Sequence, residues 1–242
     1  MVRCARHFPL AACVLVAAAT AFVPVARAGE VSVSPATTAA EAGLVDVRTL
    51  APDIALDMRY AGWHNFTARP VPGYEAPTCL LLAPVAQALA KVQAGLRAEG
   101  YSLLMFDCYR PVRAVKAFVA WAADPADQAN KAEFYPDLDK ARIIPDGYVA
   151  EVSGHSRGAT VDLGLLDCRK ACTALDMGTG FDYFGLRAHT DAPGLGEVQR
   201  AHRRQLLQAM AAAGFVNYPN EWWHYTFQPE PAPTIAYDVP VR

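Results

Sequence analysis

Two pairs of residues in the second half of the chain have the types and spacing that metal-dependent hydrolysis requires. His155 lies seven residues before Asp162, with Gly158 between them to allow a turn, and Glu221 lies three residues before His224. Asp162 stands in an apolar segment, where a buried carboxylate is costly unless it is paired or bound to a metal. Catalytic zinc takes three nitrogen or oxygen ligands and keeps a fourth position for water. We predict that His155, Asp162 and His224 hold one zinc ion per chain.

Glu221 is the acid of the second pair and is not needed as a ligand. Its position three residues before His224 allows it to reach a water beside the metal and to act as general base. Each pair taken alone is a weak pattern, because a histidine near a carboxylate is also typical of a structural hydrogen bond. The second pair adds only modest support to the catalytic interpretation, so the structural interpretation stays open at this point.

A fixed positive charge stands where a predicted strand meets a predicted helix. Asp107 ends the apolar segment, Pro111 opens the helix, and Arg110 lies between them. An arginine held on two rigid elements can stabilise the oxyanion of a tetrahedral intermediate. The alternative is an ion pair between Arg110 and Asp107 that only ties the strand to the helix.

The elements that must position these residues follow from hydrophobic periodicity and from turn residues. Strands and helices are mixed without a strand–helix–strand rhythm, which indicates an α+β fold with a central antiparallel sheet flanked by helices. Strands are predicted at 54–60, 101–107, 160–166 and 222–227, and helices at 84–98, 111–122 and 197–213.

The N-terminal segment has the pattern of a cleavable secretory signal. Arg3 and Arg6 precede an apolar run at 8–25, and an Ala-Arg-Ala cleavage site ends at Ala28. We therefore predict a signal peptide at 1–28, export to the periplasm or the medium, and no membrane attachment after cleavage. The alternative is a membrane anchor. Small polar residues then predict a flexible leader at 29–44.

Composition predicts that the rest of the chain, residues 45–242, forms one globular domain. The 242 residues are 53% hydrophobic and carry a net charge of −2, which excludes a disordered chain and gives no electrostatic signature for nucleic acid. Residues 1–28 hold three arginines and no acid, so the mature chain has a net charge of −5. The sequence indicates no particular oligomeric state.

Four cysteines remain after cleavage, and in an exported protein they are expected to form disulfides. Cys168 and Cys172 lie close together in a turn region, so we favour that pair, which leaves Cys79 with Cys108. A cysteine-rich metal site is the alternative, but paired C-x-x-C spacing is absent from the sequence.

The chain resembles the zinc D-alanyl-D-alanine dipeptidases of the vancomycin-resistance type and their periplasmic relatives, within the D,D-carboxypeptidases of Hedgehog-like fold. The resemblance covers about residues 54–242. It is carried by YAGWHNFT at 60–67, DCYRPVRAV at 107–115, GYVA at 147–150, SGHSRGATVD at 153–162, MGTGFD at 177–182 and EWWHY at 221–225.

The resemblance implies a role for each matching position. It implies the same zinc ligands, Glu221 as the catalytic base and Arg110 as the residue that stabilises the transition state. The implied substrate-pocket positions are Tyr60, Asp107, Ser153 and Asp182, with Asp182 facing the free ammonium of a dipeptide. Gly154 departs from the pattern, because the resistance-type enzymes often carry a second serine there.

These features predict a metallodipeptidase that hydrolyses D-alanyl-D-alanine to two D-alanines in peptidoglycan and D-alanine turnover. Export favours salvage or wall turnover over glycopeptide resistance, which requires access to the cytoplasmic dipeptide. The alternative is a D,D- or L,D-carboxypeptidase that acts on peptidoglycan stem peptides. A non-catalytic zinc-dependent binding module is a third hypothesis, and the presence of Glu221 and Arg110 argues against it.

Overall fold

The computed structural model describes Met1 and residues 30–242, so the predicted signal peptide lies outside the described residues apart from Met1. The helices are α1 Ala83–Ala98, α2 Val112–Ala123, α3 Lys131–Phe134 and α4 Glu197–Ala211. The strands are β1 Ser32–Val33, β2 Leu44–Asp46, β3 Ala55–Leu56, β4 Leu80–Leu82, β5 Tyr101–Asp107, β6 Thr160–Asp167, β7 Thr173–Ala174, β8 Phe215–Asn217, β9 His224–Phe227 and β10 Ile235–Ala236. Among the helices of the described residues, none is both long enough and apolar enough to cross a membrane.

A six-stranded sheet forms the centre of the fold. Its order is β3-β5-β6-β9-β8, and β7 pairs with β6 beyond the main path. All its pairs are antiparallel except β3 with β5, which are parallel because α1 lies between them in the chain and returns it in the same direction. The predicted α+β class is confirmed, and the sheet departs from the purely antiparallel expectation at this one edge.

The long helices bury one apolar face each. Val85, Leu89, Val92 and Leu96 recur at helical spacing along α1 and are buried. Predicted and observed bounds of α1, α2 and α4 agree within two residues. The strand predicted at 54–60 is shorter, because β3 covers only two residues and a 3-10 turn follows at Arg59–Ala61.

The segment predicted as a flexible leader, 29–44, is packed against the domain over its described part. β1 pairs with β10, and the Ser32 and Ser34 N–H groups donate to the Thr234 and Ala236 carbonyls at 2.9 and 2.8 Å. Ala42 is buried. Main-chain pairing requires no particular side chains, so the small polar composition of this segment did not reveal it.

Both predicted disulfides are confirmed. Cys79 joins Cys108, linking the residue before β4 to the residue after β5, and both are fully buried. Cys168 joins Cys172 in the exposed turn between β6 and β7. These four cysteines are therefore paired with one another, contrary to the alternative of a cysteine metal site.

Candidate active site

Three ionisable residues form a row across the centre of the sheet. Asp107 on β5 lies opposite Asp162 on β6, and Asp162 lies opposite His224 on β9. Directly opposed residues of neighbouring strands project from the same face of a sheet. A bulge between Met105 and Asp107 brings Asp107 into this row, as bulges beside functional sites commonly re-aim a side chain.

His155 reaches the same face from a short 3-10 helix, Gly154–Arg157. The Ser153 hydroxyl caps this helix by accepting from the His155 N–H at 3.3 Å. The helix ends at Gly158, which has a φ of +69° and lies where a Cβ would be 2.8 Å from a methyl of Leu44. The turn that Gly158 was predicted to allow is therefore present, and it requires glycine.

The three predicted metal ligands converge at one point. His155 Nε2 lies 3.3 Å from Asp162 Oδ2 and 3.4 Å from His224 Nδ1. His224 Nδ1 lies 3.1 Å from Asp162 Oδ1. Ligands about 2.1 Å from a tetrahedral ion are about 3.4 Å from one another. The spacing of these atoms therefore fits a tetrahedral cation with a fourth position left open.

Asp162 provides an independent test of this fit. Its Oδ1 atom is buried and has no hydrogen-bond partner of acceptable geometry among the residues that the structure describes, although the His224 ring nitrogen is only 3.1 Å away. A buried carboxylate oxygen without a donor is costly unless a cation satisfies it. The donor set of two imidazoles and one carboxylate is typical of catalytic zinc sites.

The orientation of the His155 ring is set by the main chain beside a disulfide. His155 Nδ1 lies 2.7 Å from the carbonyl oxygen of Cys108. Because a carbonyl only accepts, Nδ1 carries the proton and Nε2 presents its lone pair to the cluster. A hydrogen bond of this kind to the second ring nitrogen is common for metal-binding histidines.

Burial and charge separate the pKa values of the cluster. Burial alone raises the pKa of Asp162, but His155 and His224 outweigh it and hold that pKa well below its usual range. Burial lowers the pKa of His224 and favours the neutral ring that a metal requires. Burial, then the charges of Asp162 and Asp182, raise the pKa of Glu221 well above its usual range.

Glu221 lies beside the three predicted metal ligands but is not a fourth ligand. Its Oε2 lies 3.4 Å from His224 Nδ1, and its side chain lines the cavity in front of the cluster. Asn217 Nδ2 donates to the Glu221 carbonyl at 3.0 Å and so fixes the turn before β9. The buried carboxyl with its raised pKa is suited to accepting and returning a proton.

Arg110 is held by acids on one side and by aromatic rings on the other. Its Nε and Nη2 each lie 2.9 Å from Asp107 Oδ2, and Nη2 lies 3.5 Å from Asp162. Its guanidinium packs over the rings of Tyr60 and Phe118 at 5.2 and 5.1 Å. Arg110 also lines the cavity, so the same residue forms the ion pair and presents a positive charge to the cavity.

Asp107 lies behind this arginine rather than in the substrate pocket. It is fully buried and is not among the residues that line the cavity. Tyr74 donates its hydroxyl to Oδ1 at 2.7 Å, while Arg110 occupies Oδ2. The structure therefore corrects the expected substrate contact: the bulged strand end turns this carboxylate toward Arg110, which it positions.

Tyr60 and Asp182 line the same cavity as the metal-binding cluster. The Tyr60 hydroxyl donates to Asp182 Oδ2 at 2.9 Å, and both residues are buried. Burial, then the charge of Asp162, raise the pKa of Asp182 well above its usual range. Within residues 30–242, the only side chain that donates to the Asp182 carboxylate is the Tyr60 phenol, so this carboxylate has capacity for a cation.

One cavity of about 330 Å³ joins these groups. Of the residues predicted from sequence, it is lined by Tyr60, Arg110, Ser153, His155, Asp162, Asp182, Glu221 and His224. Sequence analysis assigned no role to Phe66, Phe118, Tyr148 and Tyr218, which form the aromatic part of the wall together with Trp223. Of these four, Phe66 and Tyr148 fall within quoted motifs, but aromatic residues in a sequence more often indicate core than a pocket wall.

Gly154, the departure from the family pattern, has a local steric explanation. A Cβ at this position would lie 2.7 Å from the Thr160 hydroxyl oxygen. The Thr160 hydroxyl in turn lies 2.9 Å from the Thr226 hydroxyl, across β6 and β9. A serine at 154 would therefore require this threonine pair to move.

Comparison with known proteins agrees with this geometry. Residues 40–242 match the peptidase M15 family, described as D-ala-D-ala dipeptidase. The chain belongs to this family. Among its relatives, the D-alanyl-D-alanine dipeptidase of Enterococcus faecalis is 42% identical over 187 residues, which cover 76% of this chain and 91% of that protein. The Streptomyces coelicolor D-alanyl-D-alanine dipeptidase is 42% identical over 195 residues, which cover 81% and 96% of the two chains.

A third member of the family, the D-alanyl-D-alanine dipeptidase of Escherichia coli, is 32% identical over 75% of this chain and 83% of its own. Among solved structures, a vancomycin resistance D,D-pentapeptidase, VanY, in complex with Zn(II) is 19% identical with a TM-score of 0.39, over 64% of this chain and 77% of that chain. The D,D-dipeptidase VanXYg in complex with a D-Ala-D-Ala phosphinate analog is 16% identical with a TM-score of 0.34, over 78% and 68%. Family membership therefore follows from the sequence matches.

Proposed function

We propose that this protein hydrolyses the dipeptide D-alanyl-D-alanine to two molecules of D-alanine. The observation that carries the proposal is that a metal-binding cluster and a further buried carboxylate, Asp182, line one small cavity. Cavities of roughly 300–1,000 Å³ are typical of small-molecule sites. The named activity of the relatives is the same reaction.

Zinc is the metal that we propose for His155, Asp162 and His224, with one ion per chain. When bound by these residues, zinc supplies Lewis-acid polarisation of the scissile carbonyl and of the attacking water. The residues contribute by fixing the donor geometry: the Cys108 carbonyl holds His155, and the β6–β9 pairing holds the other two. The unsatisfied Oδ1 of Asp162 supports a cation at this point.

Glu221 moves the proton in this proposal. Its buried carboxylate accepts a proton from the attacking water and then transfers it to the nitrogen of the leaving D-alanine, so that the amine departs neutral. Arg110 faces the same cavity and stabilises the negative charge that develops on the carbonyl oxygen. Asp107 and Tyr74 keep Arg110 in place from behind.

The part of the cavity around Asp182 selects the substrate. Asp182 binds the free ammonium of the dipeptide, and Tyr60 orients the Asp182 carboxylate by donating a hydrogen bond to it. Ser153 accepts from the His155 N–H, which leaves its own hydroxyl proton for the substrate. An ammonium close to the scissile bond is present in a dipeptide and absent from a stem peptide, and this favours the dipeptidase over the carboxypeptidase alternative.

D-alanine release by the purified protein tests this proposal, with zinc quantified in the same sample. D-Ala-D-Ala, a D-Ala-terminated pentapeptide and L-Ala-L-Ala are the three substrates. We expect release from the D,D-dipeptide alone and about one zinc per chain, the stoichiometry that one catalytic zinc site requires. Cleavage of the pentapeptide instead would indicate a carboxypeptidase. Bound zinc without turnover of any substrate would indicate a binding module.

We further propose that the protein is exported, with Gly29 as its first mature residue, and acts in D-alanine salvage or wall turnover. The support is the signal-like segment at 1–28 together with two disulfides, which persist in oxidising compartments. N-terminal sequencing of protein from the periplasmic or culture fraction tests this proposal. A cytoplasmic protein that retains residues 1–28, or depletion of the cytoplasmic dipeptide on expression, would contradict it.

A further inference from the structure

A buried arginine on α4 closes the loop that carries Asp182. Arg203 is 2% exposed. Its Nε donates to the Met177 carbonyl at 2.6 Å, Nη1 to the His189 carbonyl at 2.5 Å, and Nη2 to the Arg187 carbonyl at 2.9 Å. One planar guanidinium thereby joins the two ends of a loop that spans 177–189.

In the described part of the chain, Arg203 has no carboxylate partner. The face of the Trp222 ring lies 5.9 Å from its guanidinium carbon, and its hydrogen bonds all go to main-chain carbonyls. Burial, with a smaller contribution from Arg187, lowers the pKa of Arg203 to about 10. A buried charge is costly, and the three hydrogen bonds from Arg203 to main-chain carbonyls compensate for part of that cost. Because these bonds go to the loop, they also hold the loop in a defined position.

The loop needs such support because Asp182 has an unfavourable main-chain conformation. Its φ is +60°, in the left-handed region that residues other than glycine rarely adopt. Such a conformation persists only where the surrounding structure fixes it. The Phe184 N–H in the middle of the loop donates to the carbonyl of Phe134 on α3 at 2.7 Å, and Arg203 fixes the two ends of the loop.

We infer that Arg203 is a positioning residue for substrate selection: by closing the 177–189 loop, it places the Asp182 carboxylate where the ammonium of the substrate binds. The inference rests on the proposed function, since it takes Asp182 as the ammonium site. Arg203 does not line the cavity and touches neither the substrate site nor the metal ligands. Its effect on the reaction therefore passes through Asp182.

Steady-state kinetics on D-Ala-D-Ala with Arg203→Met, Arg203→Lys and Arg204→Met test this inference. Arg204 is exposed one residue further along α4 and serves as the matched control. We expect KM to rise about 10-fold to 100-fold in Arg203→Met, since small displacements of a positioning group have effects of that size. Arg203→Lys, which retains the charge, should show a smaller rise. The kcat and zinc content of both variants should stay close to those of the parent.

A double-mutant cycle with Asp182→Asn separates positioning from general destabilisation. If Arg203 acts through Asp182, adding Arg203→Met or Arg203→Lys to Asp182→Asn should raise KM little further, whereas independent effects would multiply. A fall in kcat per total protein with unchanged KM, or multiplying effects, would overturn the inference. Absence of turnover by the parent protein would overturn the proposed function itself, which is a distinguishable result. Should Arg203→Met fail to fold, Arg203→Lys supplies the same comparison.

Discussion

Two parts of the cavity lining are built on different kinds of structure. At the metal-binding end, Asp162 and His224 lie opposite each other on adjacent strands, so their spacing follows from sheet hydrogen bonding. The Asp182 part lies on a loop with a left-handed main chain, and side chains from distant elements support it. Strand pairing fixes the first part, and individual polar contacts fix the second.

This difference separates reaction chemistry from selectivity. A change in the loop can alter which dipeptide binds without moving the strands that carry the metal ligands. A change in the strands would remove the ligand set altogether. Loops on a rigid scaffold commonly carry selectivity for this reason.

The largest effect is expected from Glu221→Gln, which tests the metal-binding end. Loss of the proton acceptor should lower kcat about 1,000-fold, within the range for general bases. Zinc content should stay at the parent level because Glu221 is not a ligand. Glu197→Gln, an exposed change at the start of α4, is the control. Loss of zinc together with activity would place Glu221 among the ligands and contradict this assignment.

The two disulfides should differ in their effect on the metal-binding end. Cys79 and Cys108 are 29 residues apart, and replacing both by serine should lower the free energy of unfolding by about 3–4 kcal/mol. Cys168 and Cys172 are 4 residues apart, and the same change there should lower it by about 2 kcal/mol. Urea denaturation measures both.

Zinc retention distinguishes the disulfides further. Only the Cys79–Cys108 variant should lose zinc to a chelator more readily, because the Cys108 carbonyl holds the His155 ring. Disturbing a contact of this kind commonly weakens metal binding about 10-fold to 100-fold. Equal zinc retention in the two variants would show that the disulfide does not influence His155.

Asp182→Asn tests the loop-borne part of the cavity lining. Removing the charge that faces the ammonium should lower kcat/KM for D-Ala-D-Ala about 10-fold to 100-fold, the usual size of a charged hydrogen bond. The change should appear in KM, with zinc content unaffected. Asp191→Asn, an exposed change just beyond the loop, is the control. An unchanged KM would show that Asp182 is not part of the substrate site.

The smallest effect is expected from Tyr74→Phe. The hydroxyl that donates to Asp107 at 2.7 Å would be lost, while Arg110 would keep its ion pair. The free energy of unfolding should fall by about 1 kcal/mol and kcat by no more than about 5-fold. Thermal denaturation and steady-state kinetics measure the two. A fall in kcat as large as that of Glu221→Gln would give this tyrosine a direct catalytic role.

The metal-binding end could be predicted from sequence because residue type and spacing carry most of its information. A histidine, a turn glycine and an aspartate in an apolar strand indicate a convergence that the structure contains. The two disulfides were also accessible, since short separation favoured one pair and left the other.

The supports of the site could not be predicted in this way. Arg203 bonds only to main-chain carbonyls in the loop, and these have no side-chain signature. Tyr74 lies 33 residues from Asp107 in a proline-rich loop, without a periodic pattern that joins them. The direction of the Asp107 side chain depends on a bulge, which the sequence of β5 does not indicate.

The row of Asp107, Asp162 and His224 has a consequence for how the chain assembles. A shift of β9 by one residue along β6 would turn His224 to the opposite face of the sheet. The complete ligand set therefore exists in a single alignment of these strands. Because a ligand stabilises only the state that binds it, zinc in this site would favour that alignment over its neighbours during folding. The ion would then act as a selector of the correct strand pairing before any substrate is encountered.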